Sequence, residues 1–79
     1  MSRWRPNEPI NQHICRRVRE RREALCISLN ALANVLDVSW QQMQKYEQGK
    51  SILSAAKLHV LAHQLGVPVA WFYEGLEKK

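Results

Sequence analysis

The chain has 79 residues, enough for one domain with one small core, because a chain of this length buries only about 60–65% of its unfolded surface. It carries 12 Lys and Arg against 7 Asp and Glu, and its net charge of +5 favours a polyanion such as nucleic acid as partner. It has neither a signal-peptide pattern nor an apolar run of about 18 residues, which argues against secretion and against a membrane partner. We therefore expect a cytoplasmic protein.

The first 10 residues contain two prolines and show no periodicity, so we predict an irregular arm over residues 1–10. A first helix is predicted from Asn11, which serves as its N-cap, and its buried stripe consists of Ile14, Val18 and Leu25. The other long side chains of this helix are expected to face mostly outward, namely Arg16, Arg17, Arg19 and Arg21.

Two short helices joined by a tight turn are predicted between Ser28 and Gly49. Ser28 is a good N-cap for the first helix, whose inward residues are predicted to be Leu32, Ala33, Val35 and Leu36. The turn is expected near Asp37, and Ser39 then caps the second helix. Gly49 suits the position after that helix. The inward residues of the second helix are predicted to be Met43 and Tyr46.

After a loop, Ser54 opens another helix, which Gly66 ends. Its buried residues are predicted to be Leu58, Leu61, Ala62 and Leu65. Pro68 suits the first turn of a last short helix. Because the sequence has almost no period-two alternation, we predict an all-α fold, a compact five-helix bundle over residues 11–76 followed by a tail at residues 77–79.

The ordered set of these elements resembles the Cro/repressor-type (XRE) helix-turn-helix domains of bacteria, phages and plasmids. The resemblance is carried by Leu32-Ala33, by Val38-Ser39, and above all by the segment Gln41-Gln42-Met43-Gln44-Lys45-Tyr46-Glu47-Gln48-Gly49-Lys50. That segment is similar to the family's recognition helix and the loop after it. The resemblance covers nearly everything after Asn11 and implies a lambda-repressor-like DNA-binding fold without a cofactor.

Three residues depart from the family pattern. Leu29 stands where many members carry a glutamine whose side chain holds a phosphate, so that side-chain contact is absent. Asp37 replaces the usual turn glycine, which we expect to be tolerated with some strain, because Asp enters the left-handed region more readily than most residues. Cys26 replaces a helix-ending glycine, so we expect a less sharp boundary between the first two helices.

The resemblance also implies which residues read DNA, because the second motif helix of such domains lies in the major groove. The base-contacting residues are predicted to be Trp40, Gln41, Gln42 and Lys45, with Gln44 as their neighbour. A glutamine offers a donor and an acceptor, the pair that matches adenine N6 and N7. Two interpretations of Trp40 stay open: its ring contacts thymine methyls or sugars, or it fills space against its own domain.

Contacts to the phosphate backbone are predicted at Ser28, Ser39, Gln48, Lys50, Arg16 and Arg17. The two serines mark helix starts, where backbone N–H groups and the helix dipole favour an anion. Arg3 and Arg5 of the arm either follow a DNA groove or belong to a solvated charged surface, and the second interpretation is favoured.

Arg22 and Glu47 occupy positions where the resemblance implies a buried ion pair between the first helix and the recognition helix. Its role would be architectural. Removing one partner of a buried pair costs about 3–5 kcal/mol, whereas an exposed pair contributes only about 0–1 kcal/mol.

Four large side chains lie close together near the C-terminus: Trp71, Phe72, Tyr73 and Leu76. One short helix cannot bury all four on a single face. Either Trp71 or Phe72 completes the core while Tyr73 rests on the surface, or the cluster is the surface of a homodimer. The dimer is attractive because two copies related by a two-fold axis read two half-sites about 34 Å apart.

The histidines and cysteines do not indicate catalysis or metal binding. His59 and His63 share one helix face, but no acidic residue lies between them and no third ligand is evident, so we predict no metal site. Cys15 and Cys26 are about 16 Å apart along a continuous helix, too far for a disulfide. No nucleophile is accompanied by a positioned base, and we predict no enzyme.

We therefore predict a sequence-specific, nucleoid-associated transcriptional regulator, a repressor or promoter-proximal controller that reads double-stranded DNA with the helix beginning near Ser39. The alternative is a protein-interaction module or antitoxin of the same fold, which binds a protein partner through the C-terminal aromatic surface. Leu29 and Trp40 support this alternative. The biological context stays open between a phage or plasmid repressor, a restriction-modification controller and an antitoxin.

Overall fold

A computed structural model describes residues 9–76 of the chain. Over this range the elements are α1 (Pro9–Ala24), α2 (Leu29–Leu36), α3 (Trp40–Glu47), α4 (Ala55–Leu65) and a C-terminal 3-10 helix (Val69–Tyr73). The all-α prediction is confirmed for these residues, but the bundle has four α-helices rather than five. The predicted fifth helix is a 3-10 helix, because only five residues lie between the extended residues Pro68 and Glu74.

Parts of the two predicted terminal segments lie outside the described residues. These parts are residues 1–8 of the arm, with Arg3 and Arg5, and the tail at residues 77–79.

The first helix begins at Pro9, two residues before the predicted start at Asn11. Proline suits this place because its missing N–H would have no helical partner in the first turn. Asn11 therefore lies inside α1, where it is buried. Its Nδ2 donates to the carbonyl oxygens of Gly49 at 3.5 Å and Ser51 at 3.4 Å, so Asn11 ties α1 to the loop after α3.

Serine side chains cap the other three α-helices, as predicted. The Oγ atoms of Ser28, Ser39 and Ser54 accept hydrogen bonds from backbone N–H groups three residues later, at 3.0, 3.1 and 3.1 Å. Each cap satisfies one amide of the first helical turn, which otherwise has no partner within the helix. These local bonds define where α2, α3 and α4 begin.

The first two helices end at residues other than glycine that adopt the left-handed conformation. Cys26 and Asp37 both have φ of 58°. The Asp37 N–H donates to the carbonyl of Asn34 at 3.1 Å, and the Cys26 N–H donates to that of Glu23 at 3.0 Å. These bonds belong to well-formed C-terminal caps, so the expectation of a less sharp boundary at Cys26 is wrong. The conformation expected at Asp37 is confirmed.

The core lies between the helices and takes residues from all five elements. It contains Ile14, Cys15, Val18, Leu32, Ala33, Leu36, Met43, Tyr46, Leu58, Leu61, Ala62, Leu65 and Phe72. The inward positions predicted for α3 and α4 are confirmed. Phe72 is fully buried, so the short 3-10 helix closes one side of the core.

Two residues predicted to be buried are exposed. Leu25 lies after the end of α1, where the chain turns toward α2, and no longer follows the helical stripe. Val35 belongs to α2, but the centre of that helix's buried face is the mean direction of Leu32, Ala33 and Leu36. At 100° per residue Val35 points about 100° away from that centre. Helical spacing alone predicts burial for both residues, and the packing of the helices leaves both exposed.

A bidentate ion pair joins α1 to the last residue of α3. The Nε of Arg22 donates to Oε2 of Glu47 at 2.6 Å, and its Nη2 donates to Oε1 at 3.0 Å. The two side chains are only 14% and 5% exposed. The hydrogen bond that Arg22 donates to Glu47 raises the pKa of Arg22 above its ordinary value. Nη1 of Arg22 also donates to the carbonyl of Ile27 at 2.9 Å, which fixes the turn between α1 and α2.

Replacing Glu47 by Gln should lower the free energy of unfolding by about 3 kcal/mol, because a buried guanidinium then loses its counter-charge. Glu20→Gln is the matched control, since its pair with Arg16 is exposed and should contribute less than about 1 kcal/mol. Urea unfolding of both variants measures the difference. Equal losses for the two would contradict the architectural role of the pair.

Replacing Asp37 by Gly should raise the free energy of unfolding by about 0.5–1 kcal/mol, because glycine adopts the left-handed conformation without steric cost. Ala31→Gly, in the right-handed interior of the same helix, should lower it by about 1 kcal/mol. Thermal unfolding distinguishes the two signs. A loss of stability in Asp37→Gly as large as that in Ala31→Gly would show that Asp37 is not strained.

Candidate nucleic-acid interface

The α2–α3 pair has the geometry of a helix-turn-helix motif. Two helices of 8 residues each are connected by residues 37–39 alone. Met43 and Tyr46 hold one face of α3 in the core, so the opposite face is open to solvent. That outer face carries Trp40, Gln41, Gln44, Lys45 and Gln48, all exposed, while Gln42 at its edge is half-buried. An isolated α-helix of this width fits the major groove of B-DNA.

Three amide side chains of the outer face follow one another along α3. Gln41, Gln44 and Gln48 are spaced at i, i+3 and i+7, which puts them in one stripe. Each amide group offers a donor and an acceptor, and all three side chains are exposed. The stripe therefore presents paired donors and acceptors of the kind that base edges can bind.

Trp40 is the first residue of α3 and is 48% exposed. It is not among the partly buried apolar residues that pack on the core. This placement favours the interpretation in which the ring contacts a partner over the one in which it fills space in its own domain. An apolar ring beside an amide stripe suits the thymine methyl groups of the major groove.

The loop after α3 is held in one conformation. The Lys50 N–H donates to the carbonyl of Lys45 at 2.9 Å, and Gly49 has φ of +76°. A Cβ atom at Gly49 would lie 3.0 Å from Cγ of Gln12, so only glycine lets α1 approach this closely. Together with Asn11, these contacts place the exposed Lys50 just beyond the outer face of α3.

Arg16 and Arg17, both predicted to contact phosphate, lie beside the C-terminal segment. The Arg17 guanidinium sits 3.6 Å from the centroid of the Trp71 ring and donates to the Trp71 carbonyl at 3.2 and 2.8 Å. The prediction that Arg17 faces outward is therefore wrong. Arg16 is exposed, but its neighbours are His13 and Glu20.

Arg19 is a second arginine of α1, besides Arg22, that lies next to α3, and it is missing from the predicted phosphate contacts. It lines a groove of about 190 Å³ together with Leu29, Gln44 and Gln48, and the Arg22–Glu47 pair lines the same groove. One signal could have found it. Arg19 precedes Arg22 by three residues, so helical spacing places it on the side of α1 that carries the predicted ion pair.

The C-terminal aromatic residues divide between core and surface. Phe72 is fully buried, and its inclusion in a dimer surface is wrong for that reason. Trp71 is half-buried, meets Phe72 edge to face with centroids 5.5 Å apart, and carries the Arg17 guanidinium on its ring. Leu76 is half-buried as well. Tyr73 is exposed, as the first of the two interpretations predicts.

Tyr73 also borders an apolar groove of about 290 Å³ between α1 and the start of α4. Ile10 and Ile52 are two further exposed apolar residues of this groove, and Leu53 and Leu58 line it as well. Of the exposed large apolar side chains in the described residues, three thus meet at one place. This apolar groove is a candidate contact surface for a protein partner that the C-terminal segment borders.

Within residues 9–76 the histidines and cysteines do not form a metal-binding cluster. His59 and His63 are both exposed on α4, and within residues 9–76 no group of three or more His, Cys, Asp or Glu could hold a metal ion. Cys15 and Cys26 are both free thiols. Burial, with a smaller contribution from the Glu47 charge, raises the pKa of Cys15 to about 11, so this thiol stays protonated at neutral pH. In the described part of the chain, no helix has the length and apolar character needed to cross a membrane.

Comparison with known proteins supports the helix-turn-helix interpretation of the α2–α3 pair. The model of the family described as Helix-turn-helix (HTH_3) matches residues 18–72. An uncharacterized transcriptional regulator in the ATPase CF(0) region of Rhodospirillum rubrum is 42% identical over 69 residues, which cover 87% of this chain and 64% of that protein. The chain spans about half the length of further curated relatives that it matches. These relatives are described as regulators, which does not favour the protein-interaction alternative.

Solved structures show the same fold. The clp gene regulator ClgR from Corynebacterium glutamicum superposes with a TM-score of 0.77 at 25% identity, over 85% of this chain and 71% of that chain. FeII HppE has a TM-score of 0.77 at 21% identity, over 87% of this chain and 40% of that chain, a likeness of fold alone. The predicted resemblance is thus confirmed by the family match, and the chain belongs to the XRE-type helix-turn-helix family.

Proposed function

We propose that this chain is the DNA-reading part of a sequence-specific transcriptional regulator, which inserts the outer face of α3 into the major groove of double-stranded DNA. The observation that carries the proposal is the division of α3 into two faces. Met43 and Tyr46 anchor one face in the core, while the amide stripe and Lys45 are exposed on the other. A rigidly anchored helix with exposed amides can hold a fixed register against base edges.

Residues near the start of α3 make the base contacts in this proposal. The set consists of Trp40, Gln41, Gln42, Gln44 and Lys45. Gln41 carries the most weight, because it is exposed and lies in the first turn of the helix, where recognition helices reach furthest into the groove. Gln42 is half-buried, so its contribution is limited to the edge of the contact.

Phosphate contacts set the register. The first-turn amides of α2 and α3 that Ser28 and Ser39 do not cap offer N–H donors, together with the positive end of a helix dipole. Gln48 and Lys50 follow α3 in the loop that Asn11 and Gly49 hold in place. Arg16 and Arg17 do not belong to the proposed set, because both lie beside the C-terminal segment.

We also propose that the active species is a homodimer joined through the apolar groove. A helix of 8 residues spans few base pairs, whereas a two-fold dimer reads two half-sites one helical turn apart. Exposed Ile10, Ile52 and Tyr73 supply apolar surface that a second copy would bury. Such a regulator acts by occupancy at the nucleoid in the cytoplasm, as a repressor or promoter-proximal controller, without catalytic activity of its own.

Selection of bound sequences from a random pool of duplex DNA tests this function. The expected result is an enriched palindromic motif with half-sites about 34 Å apart, bound about 10³-fold or more tightly than scrambled DNA. An enriched motif without a palindrome would contradict the homodimer and would still support the reading of DNA by α3. No enrichment, with weak binding lost at moderate salt, would reject sequence-specific regulation.

Gln41→Ala should weaken binding to the selected site by about 1–3 kcal/mol and leave binding to scrambled DNA almost unchanged, because it removes a base contact. Lys50→Ala should weaken both, because a phosphate contact is independent of sequence. Gln64→Ala, an exposed glutamine on α4, is the control and should change neither. Fluorescence anisotropy titrations give the two affinities of each variant, one for the selected site and one for scrambled DNA. Equal losses for Gln41→Ala on both DNAs would remove it from the base-reading set.

A further inference from the structure

The groove beside α3 combines groups from three helices. Arg19 comes from α1, Leu29 from the first turn of α2, and Gln44 and Gln48 from the amide stripe of α3. The groove is lined mainly by polar atoms, and it opens next to the face proposed to enter the DNA. Whatever strand passes along the amide stripe therefore also passes Arg19.

The second arginine of the groove is engaged in the fold, and its side chain is only 14% exposed. Arg22 gives its Nε and Nη2 hydrogens to Glu47 and its Nη1 to the carbonyl of Ile27. Leu29 offers no polar side-chain atom, and it packs on the core. Among the residues that line the groove, the exposed positive charge is therefore that of Arg19.

Arg19 has the freedom that such a contact requires. Its side chain is 58% exposed, and its partner in the structure is Glu23 at 3.1 Å, one turn further along the same helix. An exposed pair of this kind contributes little to stability, so the guanidinium can exchange the carboxylate for a phosphate. A guanidinium binds phosphate oxygens with two parallel N–H donors, which a lysine at this place would not do.

We infer that Arg19 contacts a DNA phosphate, so that α1 binds the DNA backbone beside the groove while α3 contacts the bases. The inference rests on the proposed function, because it takes the outer face of α3 as the face that meets DNA. It extends the interface to a helix in which Arg17, Arg21 and Arg22 serve the fold, and it places a positive charge where Leu29 supplies none.

The test compares Arg19→Gln with Arg16→Gln. The two arginines belong to the same helix, are 58% and 60% exposed, and each pairs with a glutamate four residues later. Both variants therefore remove the same charge and the same kind of ion pair. Arg16 lines a different groove, beside Gly75 and Leu76, and is not next to α3.

Affinity for a duplex selected from a random pool is measured for the three proteins between about 0.05 and 0.3 M salt. Arg19→Gln is expected to reduce the slope of log K against log salt by about 1 and to lower affinity about five- to tenfold at 0.1 M salt. Arg16→Gln should keep the slope of the wild type. Ethylation interference provides a second measurement, in which one phosphate per half-site should lose its effect in Arg19→Gln alone.

The outcomes separate the inference from the proposed function. If the wild type binds the duplex with a steep salt dependence and Arg19→Gln keeps that slope, the inference is overturned. The proposed DNA-reading function is then retained. Equal reductions for both variants would indicate a general effect of net charge and would also overturn it. If the wild type binds no selected duplex, the proposed function fails and the inference fails with it. Thermal unfolding should give the same midpoint for all three proteins within about 3 °C.

Discussion

The ion pair between Arg22 and Glu47 is the contact on which the orientation of the reading helix depends. Glu47 is the last residue of α3, and Arg22 reaches it from α1 while also holding the carbonyl of Ile27. One guanidinium therefore positions α1, the turn before α2 and the end of α3. Burying two charges contributes little net stability, but it permits only one geometry, because either charge left alone would be strongly unfavourable.

The remaining architecture relies on polar contacts over a small apolar core. Arg17 binds the carbonyl of Trp71, Arg21 donates to that of Leu65 at 2.9 Å, and Asn11 reaches the loop after α3. A chain of 79 residues has only a small core, so hydrogen bonds from long side chains also orient its last elements. Positive charge on α1 is therefore a poor measure of DNA contact, since several of its arginines serve the fold.

Most of the helices and their caps were predictable because they depend on neighbours in sequence. Ser28, Ser39 and Ser54 each cap an amide three residues later, and Asp37 ends α2 through its own backbone preference. The start of α1 was not predictable from Asn11, because the polar side chain there binds the loop some forty residues later. An N-cap and a buried tertiary contact use the same residue types.

The sequence by itself determined the helical elements, the helix-turn-helix motif and the outer face of α3, because capping and helical periodicity act within a few residues. Only the tertiary structure decided what each arginine of α1 contacts and which aromatic residue enters the core. Arg19 and Arg17 differ by two residues in sequence, yet one lies in a groove with Gln44 and the other lies on Trp71. The physical reason is that such contacts depend on how the helices pack, and packing joins residues far apart in the chain.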